Sequence, residues 1–487
     1  MRVYFSNLGC KLNQAEVERL AREFLAAGHQ LAAALAEADL HVINSCTVTR
    51  AAARRSRQAV GLGRAGVSGG GGSPGESPRC ALSREIGANP ARRDGRARLR
   101  TVLTGCYATH SPEEAARLAG VDLVVPNRDK DKLLEKVQQA FPEALPERSG
   151  GGIEVSYMPL PIGNTRALVK VEDGCDMRCA FCVIPATRGR QRSRPLPEVV
   201  AEVRALAAAG YRELVVTGVQ ISAYRDAGGG GGAEPAGSAA AAAAAAARQR
   251  GARLFDLVDL VQALLAALPV GGGRRLRLTS IAPWELDQRL LGLWADRRLC
   301  RHLHLSLQSG ATSTLRRMRR PYTAAGFHAL LERVRAAIPG VAVTTDVIVG
   351  FPGESAAEFE ESLAAVAAMA FAKVHVFPYS ARPGTAAAEF AGQVGPAEQR
   401  ARMERMLEVA RSAERSFWRA HLGRREPVLW ERPRGGLGQG LTDNYIRVFA
   451  PEGAALWNRL VPADLLAVAD HGVLGRVAAE CGGAATP

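Results

Sequence analysis

No stretch of this chain is apolar for long enough to cross a bilayer, so no membrane-spanning helix and no membrane partner are expected. Acidic charge is the scarcer sign: 48 Asp and Glu stand against 63 Lys and Arg, a formal net charge of +15. That balance argues against a basic partner and points to an anionic one, with nucleic acid first. Arginine supplies nearly all of the excess, so an arginine-rich composition without such a partner is the competing explanation. No secretory leader is evident, and the nine cysteines are therefore expected in a reducing, cytoplasmic setting where thiols bind metals rather than pair. No His–carboxylate pair stands out either, and no acid/base catalytic residue is assigned. The length of 487 residues suggests about three domains.

What is present is concentrated in Gly174-Cys175-Asp176-Met177-Arg178-Cys179-Ala180-Phe181-Cys182, a CxxxCxxC run just after the apolar segment Ala167–Val171. Three thiolates on one short loop hold three irons of a cubane and leave the fourth iron open to a substrate. That open iron is what reductive cleavage of S-adenosylmethionine requires. Structural zinc is the rival reading, although zinc wants four ligands in paired knuckles and this loop offers three at unequal spacing. Buried cysteines with no special role are a third.

Three further cysteines each follow an expected strand. Met1–Asn7 leads to Cys10, Ala38–Asn44 leads to Cys46, and Thr101–Thr104 leads to Cys106, with helices at Glu16–Ala27 and Ala51–Gly61 between them. Ligands bind an open α/β sheet at the C-terminal ends of its strands, so Cys10, Cys46 and Cys106 are candidates for a second three-thiolate site. The alternative is three small buried hydrophobes. Ser111, followed by Pro112, reads as a helix N-cap, and Asp129–Ala140 as a helix. Segment 65–96, which contains Cys80, reads as a low-complexity insertion, and 227–250 as a second one.

From residue 160 to about 395 helices and strands alternate. The expected strands after the cysteine loop are Glu213–Gly218, Arg275–Ser280, His302–Gly310, Ala342–Gly350 and Lys373–Phe377. Helices are expected at Pro197–Ala209, Phe255–Ala267, Leu286–Trp294, Tyr322–Ile338 and Ser355–Met369. Counting the cysteine unit, the pattern implies an α/β fold with a partial six-unit parallel barrel. The run Arg188, Arg190, Arg192 and Arg194 is either a solvated basic turn or an anion-binding segment. A charged helix, Arg402–His421, precedes short apolar alternations in 422–480. These read as a small antiparallel β-barrel, which either grips RNA or merely caps the fold.

The segments LGCKLNQ, NSCTVT, TGCYA and GCDMRCAFC together resemble the radical S-adenosylmethionine methylthiotransferases, over nearly the whole length apart from the two insertions. The resemblance implies an N-terminal Rossmann-like cluster domain (1–145), a radical barrel (160–395) and a C-terminal TRAM-like RNA-binding barrel (422–480). Cys10-Lys11-Leu12-Asn13-Gln14, Phe377–Thr385 and Thr442–Ile446 are similar to the branch acting on N6-threonylcarbamoyladenosine-37 of tRNA. Other branches act on isopentenyladenosine-37 or on a ribosomal protein.

On this resemblance Cys175, Cys179 and Cys182 would hold the radical [4Fe–4S] cluster, and Cys10, Cys46 and Cys106 an auxiliary [4Fe–4S] cluster. Phe181, Thr217, Gly218, Ser306, Gln308, Asp346 and Gly350 would line the S-adenosylmethionine site. Arg188–Arg194 would clamp its carboxylate or RNA phosphates. The partners implied are the tRNA anticodon loop and an electron donor such as flavodoxin or ferredoxin; no residue points to a sulfur donor. Cys80, Cys300 and Cys481 match no ligand position.

Overall fold

The computed structural model describes residues 1–61, 98–142, 165–227, 254–269, 271 and 273–478. The expected insertions lie outside the described residues except at Ala227, and so do Cys80 and Cys481. The chain divides into two units: Met1–Ile162 with Val183–Gly189, and Gly163–Cys182 with Arg190–Pro487. No described helix is long and apolar enough to cross a membrane.

The first unit is a parallel sheet of β1 (Arg2–Asn7), β2 (Gln30–Leu31), β3 (Leu40–Ser45), β4 (Arg100–Gly105) and β5 (Leu123–Val125), in the order β2-β1-β3-β4-β5. Its helices are α1 (Lys11–Ala26), α2 (Arg50–Gly61), α3 (Cys106–His110), α4 (Pro112–Arg117), α5 (Leu133–Ala140) and α6 (Ile184–Arg188). Neighbouring residues in the strands serve opposite faces. Val42 and Val102 join Leu20, Phe24 and Val137 in one core, while Ile43 and Leu103 join Ala53, Val60 and Tyr107 in another. Apolar residues at both parities are what a parallel sheet covered on both sides demands.

The chain winds to one side of β1 through β2 and to the other through β3. The switch point of the sheet is therefore the β1/β3 gap, the usual crevice for a ligand. Two local expectations change. Helix α1 begins at Lys11, directly after Cys10. Ser111 precedes α4, but its side chain makes no capping hydrogen bond.

In the second unit β6 (Ala167–Lys170), β9 (Glu213–Thr217) and β10 (Arg275–Leu278) form one parallel sheet; β11 (His302–His304), β12 (Ala342–Val349) and β13 (Lys373–Pro378) form another. Parallel bridges Leu276↔Leu299 and Ile281↔Leu305 span the gap between them, which gives six strands in chain order. A ribbon of β7 (Glu172–Asp173) and β8 (Arg192–Ser193) flanks the cysteine loop. The helices are α7 (Leu196–Ala208), α8 (Leu257–Ala267), α9 (Gln288–Leu291), α10 (Thr312–Arg317), α11 (Ala324–Ala337), α12 (Ala356–Ala368) and α13 (Pro396–Arg419). The helix expected at Leu286–Trp294 breaks into α9 and a 3-10 turn. The strand expected to run to Gly310 ends at His304; beyond it Leu305 and Gln308 make isolated bridges to Ile281 and Val347, and Gln308 takes a positive φ of 69°.

Strands β14 (Arg425–Arg434), β15 (Leu437–Thr442), β16 (Arg447–Ala450), β17 (Leu460–Ala469) and β18 (Gly472–Val477) close into a barrel in the order β14-β15-β16-β18-β17, antiparallel as expected except that β16 and β18 pair in parallel. Val428, Trp430, Ile446, Val448, Ala463 and Leu465 fill it. A buried ion network fixes this barrel to β9 and β10. Glu213, fully buried, accepts from Arg275 Nε and Arg277 Nε, both at 2.6 Å. The two guanidinium groups also donate to the carbonyls of Leu441 (2.8 Å), Thr442 (3.1 Å) and Asp443 (2.8 Å). Despite its burial, these cations hold the Glu213 carboxyl far below the usual carboxylate range. Removing one member of such a set strands the others' charge in a dry site, at about 3–5 kcal/mol. Glu213→Gln is expected to lower unfolding stability by that amount in urea titration, and Arg277→Met by a similar amount.

Candidate active site

In the first unit the register sets the site. Asn7 pairs with Asn44, Asn44 with Thr104, and Ser45 with Gly105, so β1, β3 and β4 end level. Cys10 is the N-cap of α1, Cys46 follows β3 directly, and Cys106 is the first residue of α3. Cys10 is exposed, whereas Cys46 and Cys106 are buried. Ser56 Oγ clamps the Cys46 backbone by accepting from its N–H (3.0 Å) and donating to its carbonyl (2.9 Å). Burial pushes the Cys46 thiol up to about 11; the neighbouring Cys106 and Cys10 add to this and Arg188 opposes it. The three cysteines thus stand at one sheet edge.

Beneath them lies a linked polar set. Cys10 Sγ donates to Asn13 Oδ1 at 3.2 Å, and Asn127 Nδ2 donates to Cys106 Sγ at 3.7 Å. Glu16 accepts from Lys130 Nζ at 2.7 Å and from Arg188 Nη1 at 2.8 Å. Arg188 Nη2 also donates to Asn13 Oδ1 at 3.0 Å. Asn44 Nδ2 donates to the Asn13 carbonyl at 2.9 Å, and Lys130 Nζ donates to Asn44 Oδ1 at 3.2 Å. Burial draws the Lys130 ammonium below its ordinary pKa, with Glu16 as the main opposing influence.

In the second unit all three loop cysteines are partly exposed. Cys175 Sγ accepts from the Met177 N–H at 3.4 Å, and Cys179 Sγ accepts from Arg320 Nη1 at 3.4 Å. Burial, opposed by the Met177 hydrogen bond, raises the Cys175 thiol to about 11. Arg320 was not singled out in the sequence, although it stands in the arginine run before Pro321-Tyr322. Its guanidinium lies 5.1 Å from the Trp284 ring and 5.2 Å from the Tyr322 ring, and it also donates to the Ser306 carbonyl at 3.2 Å.

Glu172 was missed as well. It is buried, its carboxyl is raised to about 8 mainly by that burial, and Oε2 accepts from the Gln220 N–H at 2.8 Å.

The expected cofactor contacts separate into groups. Phe181 packs edge-on against Phe351 at 6.5 Å. Thr217 is buried at the end of β9, and Gly218 follows it where a Cβ would meet Glu172 Oε2 at 2.7 Å. Ser306 Oγ donates to Asp346 Oδ2 at 3.1 Å, and the Gln308 N–H donates to the Asp346 carbonyl at 2.8 Å. The Gly350 N–H is taken by Glu354 Oε2 at 2.7 Å. The fold also makes a His–carboxylate pair that the sequence hid: His304 Nε2 lies 3.0 Å from Asp346 Oδ2.

Arg188 is buried on Glu16, Arg194 is paired with Glu202 at 2.5 Å, and Arg192 reaches Asp173 at 3.1 Å. Each of these three guanidinium groups thus has a carboxylate partner within the protein, and Arg190 is exposed.

A Radical SAM superfamily description matches residues 169–366, and that of the uncharacterized protein family UPF0004 matches residues 2–65. The threonylcarbamoyladenosine tRNA methylthiotransferase MtaB of Bacillus subtilis is 32% identical over 92% of this chain and 89% of its own length. The chain belongs to the radical S-adenosylmethionine tRNA methylthiotransferase family. The tRNA-2-methylthio-N(6)-dimethylallyladenosine synthase of Maricaulis maris is also 32% identical, over 89% of this chain and 87% of its own. Among solved structures, the radical S-adenosylmethionine methyltransferase TsrM of Kitasatospora setae is similar at a TM-score of 0.45 and 15% identity, over 78% of this chain and 75% of that one.

Membership of this methylthiotransferase family implies S-adenosylmethionine, [4Fe–4S] chemistry and a tRNA substrate. Among the described residues no three His, Cys, Asp or Glu side chains converge tightly enough for a single metal ion. A cubane needs no such convergence, because its own irons and sulfides hold the thiolates apart. The donor sets fit it: sulfur-only ligands, N–H donors on Cys106, Cys175 and Cys179, and cations nearby.

Gly105 sets Cys106 in this enzyme. Its φ of 98° is glycine territory, and a Cβ there would meet the Ser45 carbonyl oxygen at 2.4 Å. Gly105→Ala is expected to cost about 1–3 kcal/mol in thermal or urea unfolding. The same variant should take up less iron on anaerobic reconstitution.

Proposed function

We propose that this methylthiotransferase places a methylthio group on C2 of N6-threonylcarbamoyladenosine-37 in tRNA. In this reading Cys175, Cys179 and Cys182 ligate one [4Fe–4S] cluster, and Cys10, Cys46 and Cys106 a second. The observation that carries the two-cluster reading is the level ending of β1, β3 and β4, each delivering one cysteine to a common edge. The substrate reading is supported by Cys10-Lys11-Leu12-Asn13-Gln14 and by relatives named for threonylcarbamoyladenosine.

When bound, the clusters and S-adenosylmethionine supply the deoxyadenosyl radical that takes hydrogen from C2 and the sulfur that replaces it. The chain's part is to hold, orient and shield. The Arg320 and Met177 N–H groups donate to the Cys179 and Cys175 sulfurs and fix where they stand. Burial of Cys46 and Cys106 keeps water from two of the three auxiliary ligands. The C-terminal barrel would grip RNA through exposed Trp457, whose ring carries Arg432 at 4.7 Å, an arrangement suited to stacking on a base. A cytoplasmic location and a flavodoxin or ferredoxin reductant complete the reading.

A second substrate reading, isopentenyladenosine-37, is favoured by the Maricaulis relative at equal identity. Mass spectrometry of tRNA nucleosides from cells lacking and regaining the gene separates the two. Loss and return of methylthio-threonylcarbamoyladenosine, with methylthio-isopentenyladenosine steady, supports the first, and the reverse pattern replaces it. At the cluster level, Cys179→Ala should abolish deoxyadenosine formation. Cys46→Ala should retain it but stop methylthiolation, and full methylthiolation by Cys46→Ala would refute the auxiliary-ligand assignment.

A further inference from the structure

Helix α2 turns small residues to the fold and cations to solvent. Ala52, Ala53, Ser56, Ala59 and Val60 are buried, whereas Arg50, Arg54, Arg55 and Arg57 are exposed, and the helix holds no acidic residue. The spacing i, i+4, i+7 sets Arg50, Arg54 and Arg57 on one stripe, with Arg55 alongside. Like charges one turn apart repel, so this face works against the helix that carries it. Arg57 reaches Glu114 Oε1 at 3.6 Å and lies over the Tyr107 ring at 5.8 Å. Among the described residues Arg54 and Arg55 meet no carboxylate, and their charges stand in water.

The same helix is tied to the cysteine edge. Thr49, three residues after Cys46, accepts the Ala52 N–H on Oγ1 at 3.1 Å and so starts α2. Ser56, on the face opposite Arg54, holds both backbone groups of Cys46, at 3.0 and 2.9 Å. Val48, between Cys46 and the helix, is 47% exposed, an apolar side chain left in water at that edge. We propose that the arginine face of α2, through Arg54 and Arg55, binds phosphates of the tRNA anticodon loop beside Cys46. This rests on tRNA being the substrate. Guanidinium groups take phosphate oxygens in pairs, and contacts of this kind fix register without reading sequence. The Ser56 tie makes that register count, because a backbone held on one face of α2 keeps a fixed offset from the cysteine held on the other. The face therefore serves any anticodon loop, and the choice between modified adenosines lies elsewhere.

The test uses the full chain, reconstituted anaerobically with iron and sulfide, and a fluorescently labelled anticodon stem-loop RNA with adenosine at position 37. Dissociation constants are measured by anisotropy across a series of salt concentrations. The variants are Arg54→Gln, Arg55→Gln, the two together, and the pair Arg54→Lys with Arg55→Lys. A control pair, Arg333→Gln with Arg411→Gln, removes exposed charges from α11 and α13. Each single-strand phosphate contact contributes about 0.7 to the slope of log affinity against log salt. The Gln pair is expected to bind roughly tenfold more weakly at low salt, with a slope shallower by about 1.4, and each single variant about half-way. The Lys pair and the control pair are expected to keep the parent slope. An unchanged slope in the Gln pair overturns the proposal, as does an equal loss in the control pair or the Lys pair. A parent that does not bind the stem-loop instead defeats the tRNA reading beneath the proposal.

Discussion

In a parallel sheet every strand ends at the same edge, and the placement of both cysteine sets follows from that constraint. Each crossover helix returns the chain to the starting edge, so residues distant in sequence emerge side by side wherever strand ends are level. In the first unit Cys10, Cys46 and Cys106 are separated by long crossovers, yet the pairings Asn7↔Asn44 and Asn44↔Thr104 bring their strands to a common finish. The second unit uses the same geometry differently. Its three cysteines share one loop after β6 and β7, and the later strand ends bring other groups to the edge: Thr217 from β9, and Ser306 beyond β11 beside Asp346 of β12.

Each unit secures its geometry with a buried carboxylate shared among cations, Glu213 with Arg275, Arg277 and Arg166 and Glu16 with Lys130 and Arg188, and the contrast between them is informative. Arg275 and Arg277 spend their remaining N–H groups on the carbonyls of Pro427, Leu441, Thr442 and Asp443, so backbone dipoles finish what Glu213 begins. That network needs nothing from outside and reads as pure architecture. Lys130 and Arg188 instead share Glu16 and donate to the side-chain oxygens of Asn44 and Asn13. The first network ties two barrel strands to the C-terminal β-barrel, while the second joins α1, α6 and the turn before α5 around Asn13 and Asn44.

The order of elements was legible from the sequence because hydrophobic periodicity and turn residues report it directly. The parallel strands of both units and the closed C-terminal barrel stand close to where that periodicity puts them. Irregular stretches were harder. His302–Gly310 reads as one strand, yet regular pairing ends at His304 and Gln308 is left-handed, and no residue pattern announces that turn. The arginine run looked available for an anion because sequence shows charge but not pairing. Glu16, which takes up Arg188, is 172 residues away. Arg320 was passed over for the same reason: its role depends on Trp284, Tyr322 and Cys179, which only the fold assembles.

The His304–Asp346 pair bears on the kind of chemistry the second unit can support. A general base needs a ring nitrogen free to meet the substrate's proton. In His304, Nε2 is engaged with Asp346 Oδ2 at 3.0 Å and Nδ1 with Thr344 Oγ1 at 3.0 Å, so both nitrogens are committed within the protein. Ser306 Oγ adds a further donor to the same carboxylate oxygen. What the set retains is acceptor capacity on the half-buried Asp346 carboxylate, which suits a ligand's hydroxyl or amino group rather than removal of a weakly acidic C–H. The pair therefore adds a polar wall to the barrel and offers no free ring nitrogen as a general base.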